Sequence, residues 1–316
     1  MKITDLLFQL VQNTVLLVAA PLLPGWISQC RAWLQNRNGA GVLQPYRMLL
    51  KLFHKDAVLA DQASVLFRVM PYVLFSCMWL AVALVPVLVT GLPLAPAVDV
   101  IGLVGIFALA RMFISLAAMD VGTAFGSMGA RREMLVGFLA EPALLMVLFT
   151  ASTISHSTSL TTIVETLAQQ HFVLYPSMTF AAVAFVMVLL AENARIPVDN
   201  PATHLELTMI HEAMILEYSA RHLALVEWAG ALKMLAYMTL GIALFVPYGI
   251  AAPGDWSALP LAVVLLVLKL ALAGAGLALI ETLSAKMRIF RVPEFMGTAF
   301  LFAVLGLLTH FLLEAA

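Results

Sequence analysis

The sequence predicts an all-α, polytopic membrane protein with eight transmembrane helices, an amphipathic interfacial helix and a helical cytoplasmic loop between spans five and six, forming a single integral membrane domain over residues 1–316. Three observations carry that expectation. Residues of the AVILMFWYC set make up 63% of the chain and Asp, Glu, Lys and Arg only 11%, against about 25% charged residues in ordinary soluble domains. The mean hydropathy of +1.00 leaves too little polar side chain to cover a water-facing surface. Apolar runs long enough for a hydrocarbon layer of ~30 Å recur eight times, and the connections between them alternate between basic and acidic.

Taken in order, the runs lie at about 6–28, 68–90, 98–119, 134–155, 172–192, 224–249, 258–281 and 295–313. The first follows Lys2 and Asp5. Its Pro21-Leu22-Leu23-Pro24-Gly25 segment lacks the small-residue cleavage pattern of a signal peptide, so it is expected to be retained. The connection after it carries Arg31, Arg37, Arg47, Lys51 and Lys55. Within it Leu43, Tyr46, Leu49, Leu50 and Phe53 share one helical face opposite Arg47 and Lys51, behind Gly39, Gly41 and a first-turn Pro45. That pattern describes an amphipathic helix lying at the membrane surface. Pro86, Gly91 and Pro93 blur the end of span two, and Thr150–Thr162 is polar enough for a loop.

The later connections complete the alternation. Arg131 and Arg132 follow span three, Arg195 and Arg221 lie between spans five and six, and Lys286, Arg288 and Arg291 between seven and eight; the opposite connections hold Asp99, Glu165 and Asp255 and no Lys or Arg. By the positive-inside rule the basic connections are cytoplasmic and both termini periplasmic, as in a multi-pass protein of the bacterial inner membrane. The connection between spans five and six is dense in ionisable groups, as expected of a loop that docks a partner or builds a site.

Several function classes are excluded. With 17 Lys and Arg against 18 Asp and Glu there is no basic footprint for nucleic acid. Cys30 and Cys77, the only cysteines, cannot build a four-ligand iron–sulfur or zinc site. His211 and Glu212 are followed by Ile215 where the zinc-binding helix motif needs histidine. Glycine-rich phosphate loops and nucleophile elbows are missing, so a free-standing enzyme is not expected.

Ionisable groups inside spans are costly and default to functional candidates. They are Arg111 and Asp120 in or ending span three, Glu141 in span four, Glu192 ending span five, Glu227 and Lys233 in span six, and Lys269 and Glu281 in span seven. Glu141 precedes Pro142, which frees a carbonyl and opens room for a polar pocket. Lys233 lies six residues after Glu227, off its face, so each is expected to pair with another helix. Lys269, between Leu268 and Leu270, requires a carboxylate across the bundle or a water-filled cavity. Buried carboxylates and lysines of this kind can exchange protons. The competing reading makes them static ion pairs, with Arg111, Asp120, Glu192, Glu227 and Glu281 snorkelling to the interfaces. Arg195, Asp199 and Glu206 are expected to form a salt-bridged network at a cavity mouth.

Three stretches resemble a known family. Arg37-Asn38-Gly39-Ala40-Gly41-Val42-Leu43-Gln44-Pro45, followed by Lys51, resembles the entry to the first interfacial helix of the eight-span membrane subunit shared by respiratory complex I and group 4 [NiFe] hydrogenases. Gly126-Ser127-Met128-Gly129-Ala130-Arg131-Arg132-Glu133 resembles that family's loop after span three, with Glu141 on its span-four carboxylate. Glu192-Asn193-Ala194-Arg195-Ile196-Pro197-Val198-Asp199 resembles the segment written Glu-Thr-Asn-Arg-x-Pro-Phe-Asp in the complex I branch. Where that branch continues with glutamates, this chain has Pro201, Ala202, Thr203, His204 and Leu205 before Glu206, and the wording through His211 and Glu212 is similar to the hydrogenase-4 component C type of formate-hydrogenlyase-like complexes.

The resemblance implies a non-catalytic anchor without a redox centre of its own. It would seat the hydrogenase large and small subunits and a [4Fe-4S]-bearing subunit on its cytoplasmic loops, beside antiporter-like membrane subunits, with formate dehydrogenase among the candidate donors. The clusters and the NiFe centre would belong to those partners, and lipid is the one companion molecule of this chain. Docking would involve Arg37, Gln44, Arg131, Arg132, Arg195, Asp199, Glu206 and Glu212. Proton coupling would draw on Glu141, Glu192, Glu227, Lys233, Lys269, Glu281 and Asp120, with charge shifts at the Arg195 network altering the proton affinity of Glu141, Glu192 or Glu227. The alternatives are the quinone-module subunit of complex I, a purely structural anchor, and a stand-alone transporter, for which no internal repeat is found.

Overall fold

A computed structural model describes residues 3–60, 62–91, 99–169, 175–199, 209–251 and 257–314. Span one is two helices, α1 (Ile3–Ala19) and α2 (Leu22–Leu34). They break at Pro21, which cannot donate to the helical ladder. After a turn comes the interfacial helix α3 (Gln44–Phe53), with Pro45 in its first turn and an exposed apolar edge of Leu43, Met48, Leu50 and Phe53. The Tyr46 hydroxyl donates to the Val18 carbonyl and fastens α3 beneath α1. The junction is close: a Cβ on Gly25 would lie 2.1 Å from the Val42 carbonyl oxygen, so only glycine lets that strand of backbone cross α2.

The remaining long helices are α4 (Val65–Leu84), α5 (Val100–Asp120) and α6 (Ala124–Ser155). A short α7 (Leu160–Gln169) leads to α8 (Pro176–Glu192), and the five-residue α9 (His211–Ile215) to α10 (Ala220–Phe245). α11 (Leu259–Leu283) and α12 (Val292–Thr309) complete the chain. Among the described residues seven helical stretches are long and apolar enough to cross a membrane, counting α1 and α2 as one over Gln9–Leu34. α8, at the place of the expected fifth span, is a shorter apolar helix of 17 residues packed between α6 and α12. The protein is a multi-pass, all-helical membrane protein.

Two connections differ from the sequence expectation. Arg131 and Arg132 are not in a loop: α6 runs 32 residues and carries them on its first turns. At its other end α6 continues through Thr150 to Ser155, where Thr150, Thr153 and Ser155 return their hydroxyls to carbonyls of the same helix. Polar residues therefore do not end the helix before His156 turns left-handed at φ 52°. The connection between α8 and α10 is mostly irregular among the described residues, α9 being its only helix there; Glu206 lies outside the described residues, as does Asp255 of the acidic face.

The core lies where α4, α5, α6, α8 and α10 converge, filled by Phe67, Met70, Met78, Leu103, Leu144, Phe185 and Tyr237. Small residues let these helices approach closely: Ala81, Ala117, Ala140, Ala143, Ala181, Ala184 and Ala236 are buried completely. α11 stands to one side, packed chiefly on α2, where the Trp26 indole donates to the Ala271 carbonyl at 2.9 Å.

Candidate functional site

The middle of the bundle holds a charge cluster drawn from four helices. Arg111 of α5 is its hub, 7% exposed. Its Nη1 donates to Glu141 Oε1 of α6 at 2.6 Å and its Nη2 to Glu192 Oε1 at the end of α8. Its Nε lies 3.7 Å from Glu133 Oε1, one α6 segment nearer the basic face. Lys233 Nζ of α10 lies 3.0 Å from the second oxygen of Glu192. The Tyr237 ring, one turn beyond Lys233, is buried against the cluster and stacks on Phe107 with ring centroids 4.7 Å apart.

Each contact has a local cause. Gly137 leaves α6 bare where the guanidinium lies: a Cβ there would sit 2.1 Å from Arg111 Nη1. Pro142 removes one backbone donor of α6 beside Glu141. α8 ends at Glu192 because Ala194 adopts φ 49°, with the Arg195 N–H closing on the Leu190 carbonyl at 2.8 Å, a Schellman-type stop. With all five groups ionised, two cations face three carboxylates and the cluster carries a formal charge of −1. One further proton makes it neutral; of the three carboxylates Glu141 has the most exposed side chain, at 35% against 10% for Glu133 and 1% for Glu192.

A second cluster sits at the basic face. Glu281, near the end of α11, is 1% exposed and holds Arg195 at 3.2 Å and Arg31 of α2 at 3.5 Å. Burial pushes the Arg195 guanidinium below its usual range, with Glu281 acting against that. Four residues on, Asp199 pairs with Lys286 at 3.0 Å and accepts from the backbone N–H groups of Ile210 and His211 at 3.1 and 3.4 Å. The expected mutual bridge between Arg195 and Asp199 is thus not formed. Arg195 turns to the end of α11 and Asp199 to the segment just beyond it, because Glu281 and Lys286 offer opposite charge there.

Between the clusters lies a cavity of about 210 Å³. Pro21, Pro24, Pro45, Met48 and Leu49 form an apolar wall from α2 and α3, while Glu192, Arg195, Asp199, His211, Glu212, Glu227 and Lys233 form a polar one. A separate, smaller void of about 30 Å³, room for about one water, shares His211, Gly230 and Lys233 with it and is also lined by Arg111 and Glu133. Cavity and central cluster are contiguous.

Other sequence candidates fall elsewhere. Asp120 accepts from the Ser64 backbone N–H at 3.0 Å and fixes the start of α4. Among the described residues Lys269 is not paired with a carboxylate: its ammonium donates to the carbonyls of Val246, at 2.7 Å, and Tyr248, beyond the end of α10. Those carbonyls lie at the negative pole of α10 and satisfy a cation. Arg37, Gln44 and Arg131 are exposed on the basic face, and Arg132 donates to the Met209 carbonyl at 2.8 Å. Arg111, expected among the snorkelling groups, is instead the buried hub, and Glu133 and Tyr237 join it without having stood out as candidates in the sequence. For Arg111 a signal was present: it lies eleven residues from Val100 and nine from Asp120, ~13–17 Å from either helix end at 1.5 Å per residue, beyond the reach of a snorkelling side chain.

The fold and site define a multi-pass helical membrane protein with a buried charge cluster beside a cavity near its basic face. The family model described as NADH dehydrogenase matches residues 7–312, and the chain belongs to that family. It is 33% identical over 304 residues to formate hydrogenlyase subunit 4 of Escherichia coli (strain K12), covering 96% of this chain and 97% of the relative. It is also 33% identical over 301 residues to hydrogenase-4 component C of the same strain, covering 95% and 94%. A chain from the membrane-bound sulfane sulfur reductase, an archaeal respiratory membrane complex, superposes with a TM-score of 0.81 over 97% of this chain and 99% of that one at 17% identity, which establishes a common fold. Among the described residues no group of three or more His, Cys, Asp or Glu is placed to hold a metal.

Proposed function

We propose that this chain is the membrane anchor of a group 4 [NiFe] hydrogenase complex of the formate-hydrogenlyase kind, docking the peripheral hydrogenase on its basic face and coupling hydrogen evolution to proton movement. The observation that carries the reading is the 33% identity maintained along 304 residues with formate hydrogenlyase subunit 4. The partners are the hydrogenase large and small subunits, an iron–sulfur subunit and antiporter-like membrane subunits, with formate dehydrogenase as donor; they carry the [4Fe-4S] clusters and the NiFe centre. The basic face is cytoplasmic in a bacterial inner membrane, and both termini are periplasmic.

The geometry supports a route for coupling. Docking engages the connection after α8, whose first residues hold Glu192 in the central cluster and Arg195 on Glu281. A displacement of that connection moves Glu192 relative to Arg111. The other contacts of Arg111 then tighten or loosen, which changes the cost of a proton on Glu141 in a low-dielectric site. The Glu141→Gln variant is expected to assemble normally and to lose or slow hydrogen-linked proton movement. Purified complexes would be assayed for subunit content, hydrogen evolution and vesicle acidification; unchanged evolution and acidification would refute the role of Glu141.

The cavity favours a second reading, the quinone-module subunit of complex I, because its wall of Pro21, Pro24, Pro45, Met48 and Leu49 beside Glu212 and Glu227 suits an amphipathic molecule. Co-purification of an NADH-linked arm with quinone reductase activity, in place of hydrogenase subunits, would select it.

A further inference from the structure

The central charge cluster draws on α5, α6, α8 and α10, whereas α1 carries polar groups of another kind. Gln9, Gln12 and Asn13 fall on one face of α1 and are 1, 2 and 6% exposed, while Val11 and Val15 on the opposite face are 60 and 56% exposed. α1 therefore turns amides inward and hydrocarbon outward. The helix it packs on is α4, and Gln9 Nε2 reaches the Ala83 carbonyl at 3.5 Å. α4 ends at Leu84, and residues 85–88 continue as buried, non-helical backbone, so the last carbonyls of α4 have no donors within the helix. Non-helical backbone at membrane depth is tolerated where it is buried or lines a water-filled space.

Gln12 Nε2, Gln12 Oε1 and Asn13 Oδ1 find no hydrogen-bond partner among the described residues. An unpaired amide in hydrocarbon is strongly unfavourable. The unpaired set contains a donor as well as two acceptors, and that composition selects the ligand. A cation would pair the oxygens and oppose the N–H group; an anion or a lipid carbonyl would do the reverse. Water alone of these pairs both.

We infer that Gln12 and Asn13 line an internal water site between α1 and the C-terminal end of α4, in the half of the membrane where the chain begins and entered past Gln9. Gln12 lies six residues into the first apolar run, which begins near residue 6, ~9 Å along the helix, so the site brings water about a third of the way into a ~30 Å layer from the face opposite the cavity. It does not rest on the hydrogenase reading or on proton coupling.

Thiol accessibility tests it. In a Cys30→Ala, Cys77→Ala chain within the intact complex in vesicles, Gln12→Cys and Asn13→Cys would be exposed to methanethiosulfonate ethyltrimethylammonium, which is membrane-impermeant and reacts in water. The references are the lipid-facing Val15→Cys and the buried Ala20→Cys. Both test positions are expected to react at least tenfold faster than both references, and only from the side on which the chain begins. Equal rates, or reaction from the other side alone, overturn the site. The unsubstituted complex supplies a second measurement: hydroxyl-radical labelling in ¹⁸O-water is expected to mark Leu16 above lipid-facing Val15, and equal labelling counts against the inference.

Discussion

Replacing Gly137 by alanine asks whether Arg111 is held in place or merely resting there. Alanine in a helix interior ordinarily stabilises by about 1 kcal/mol relative to glycine. At position 137 the new Cβ would lie 2.1 Å from Arg111 Nη1, 2.7 Å from its Cδ and 2.8 Å from its Cζ. A free arginine would swing aside at little cost. This one is pinned by Glu133, Glu141 and Glu192, and the Cδ contact lies halfway along the side chain, where rotation of the tip gives no relief. Restoring an ordinary 3.4–4 Å contact with Nη1 requires a shift of roughly 1.3–1.9 Å. That breaks or badly stretches the 2.6 Å bond to Glu141, a charge-assisted interaction worth about 1.5–3 kcal/mol. The net expectation for Gly137→Ala is a loss of about 0.5–2 kcal/mol with slowed hydrogen evolution, opposite in sign to helix propensity. Gly105→Ala is the control, since a Cβ there meets nothing within 4 Å. Unfolding midpoints in mild detergent and hydrogen evolution by the complex would be measured for both. If Gly137→Ala is as stable and active as Gly105→Ala, the pinned-arginine reasoning is wrong.

Three further outcomes are expected. Glu281→Gln strands Arg195 beside a neutral group and should cost about 3–5 kcal/mol, as removal of one partner of a buried pair does, whereas Arg31→Gln, at a site 27% exposed, should cost at most about 1 kcal/mol; SDS unfolding titrations compare them. Tyr218 stacks on Phe67 with centroids 4.0 Å apart and donates to the Phe67 carbonyl at 3.0 Å, so Tyr218→Phe should lose about 1 kcal/mol at neutral pH. Burial, aided by Asp120, pushes the Tyr218 phenol well up: above about pH 10 the unfolded chain releases this proton while the folded chain keeps it, so stability falls with rising pH by up to ~1.4 kcal/mol per unit. That alkaline slope should be shallower in Tyr218→Phe, and identical slopes in the two proteins would count against the burial argument.

The spans were legible because lipid demands a ~20-residue apolar helix and little else. α8 escapes the length criterion at 17 residues and is recognised by its apolar composition. What composition does not encode is partnership across helices. Arg111 meets three carboxylates from two other helices, and nothing near it in sequence announces them. Glu141, Glu192 and Lys233 are individually conspicuous as charges in apolar runs, but the lone arginine that joins them resembles one of several snorkelling groups. Lys269 illustrates the opposite error. Among the described residues its partners are backbone carbonyls, which leave no mark in a sequence, so a search among side chains alone misses them. For Arg195 and Asp199, proximity in the chain suggests a mutual bridge, whereas folding offers each a different partner on the far side of the loop.

The two clusters are joined by two residues of backbone, Asn193 and Ala194, and on the proposed coupling route that junction would make them one device. Glu192 ends α8 inside the central cluster, and Arg195 begins the connection on Glu281. Between them the N–H groups of Ala194 and Arg195 close on Ala191 and Leu190 at 3.2 and 2.8 Å. A frayed helix end would absorb movement of the connection before it reached Glu192; a closed turn transmits it. Ala194 holds this turn at φ 49°, a left-handed conformation that costs a residue with a Cβ about 1–2 kcal/mol and glycine nothing. If the turn is a fixed link, Ala194→Gly relieves that strain without changing its geometry. The variant should then gain about 0.5–1 kcal/mol in an unfolding titration, after allowance for glycine's greater freedom in the unfolded chain, and should evolve hydrogen at the parental rate. If the left-handed turn is instead one of several interconverting shapes, glycine widens the choice. Hydrogen evolution would then fall with no gain in stability, and the rigid link between docking face and central cluster would have to be abandoned.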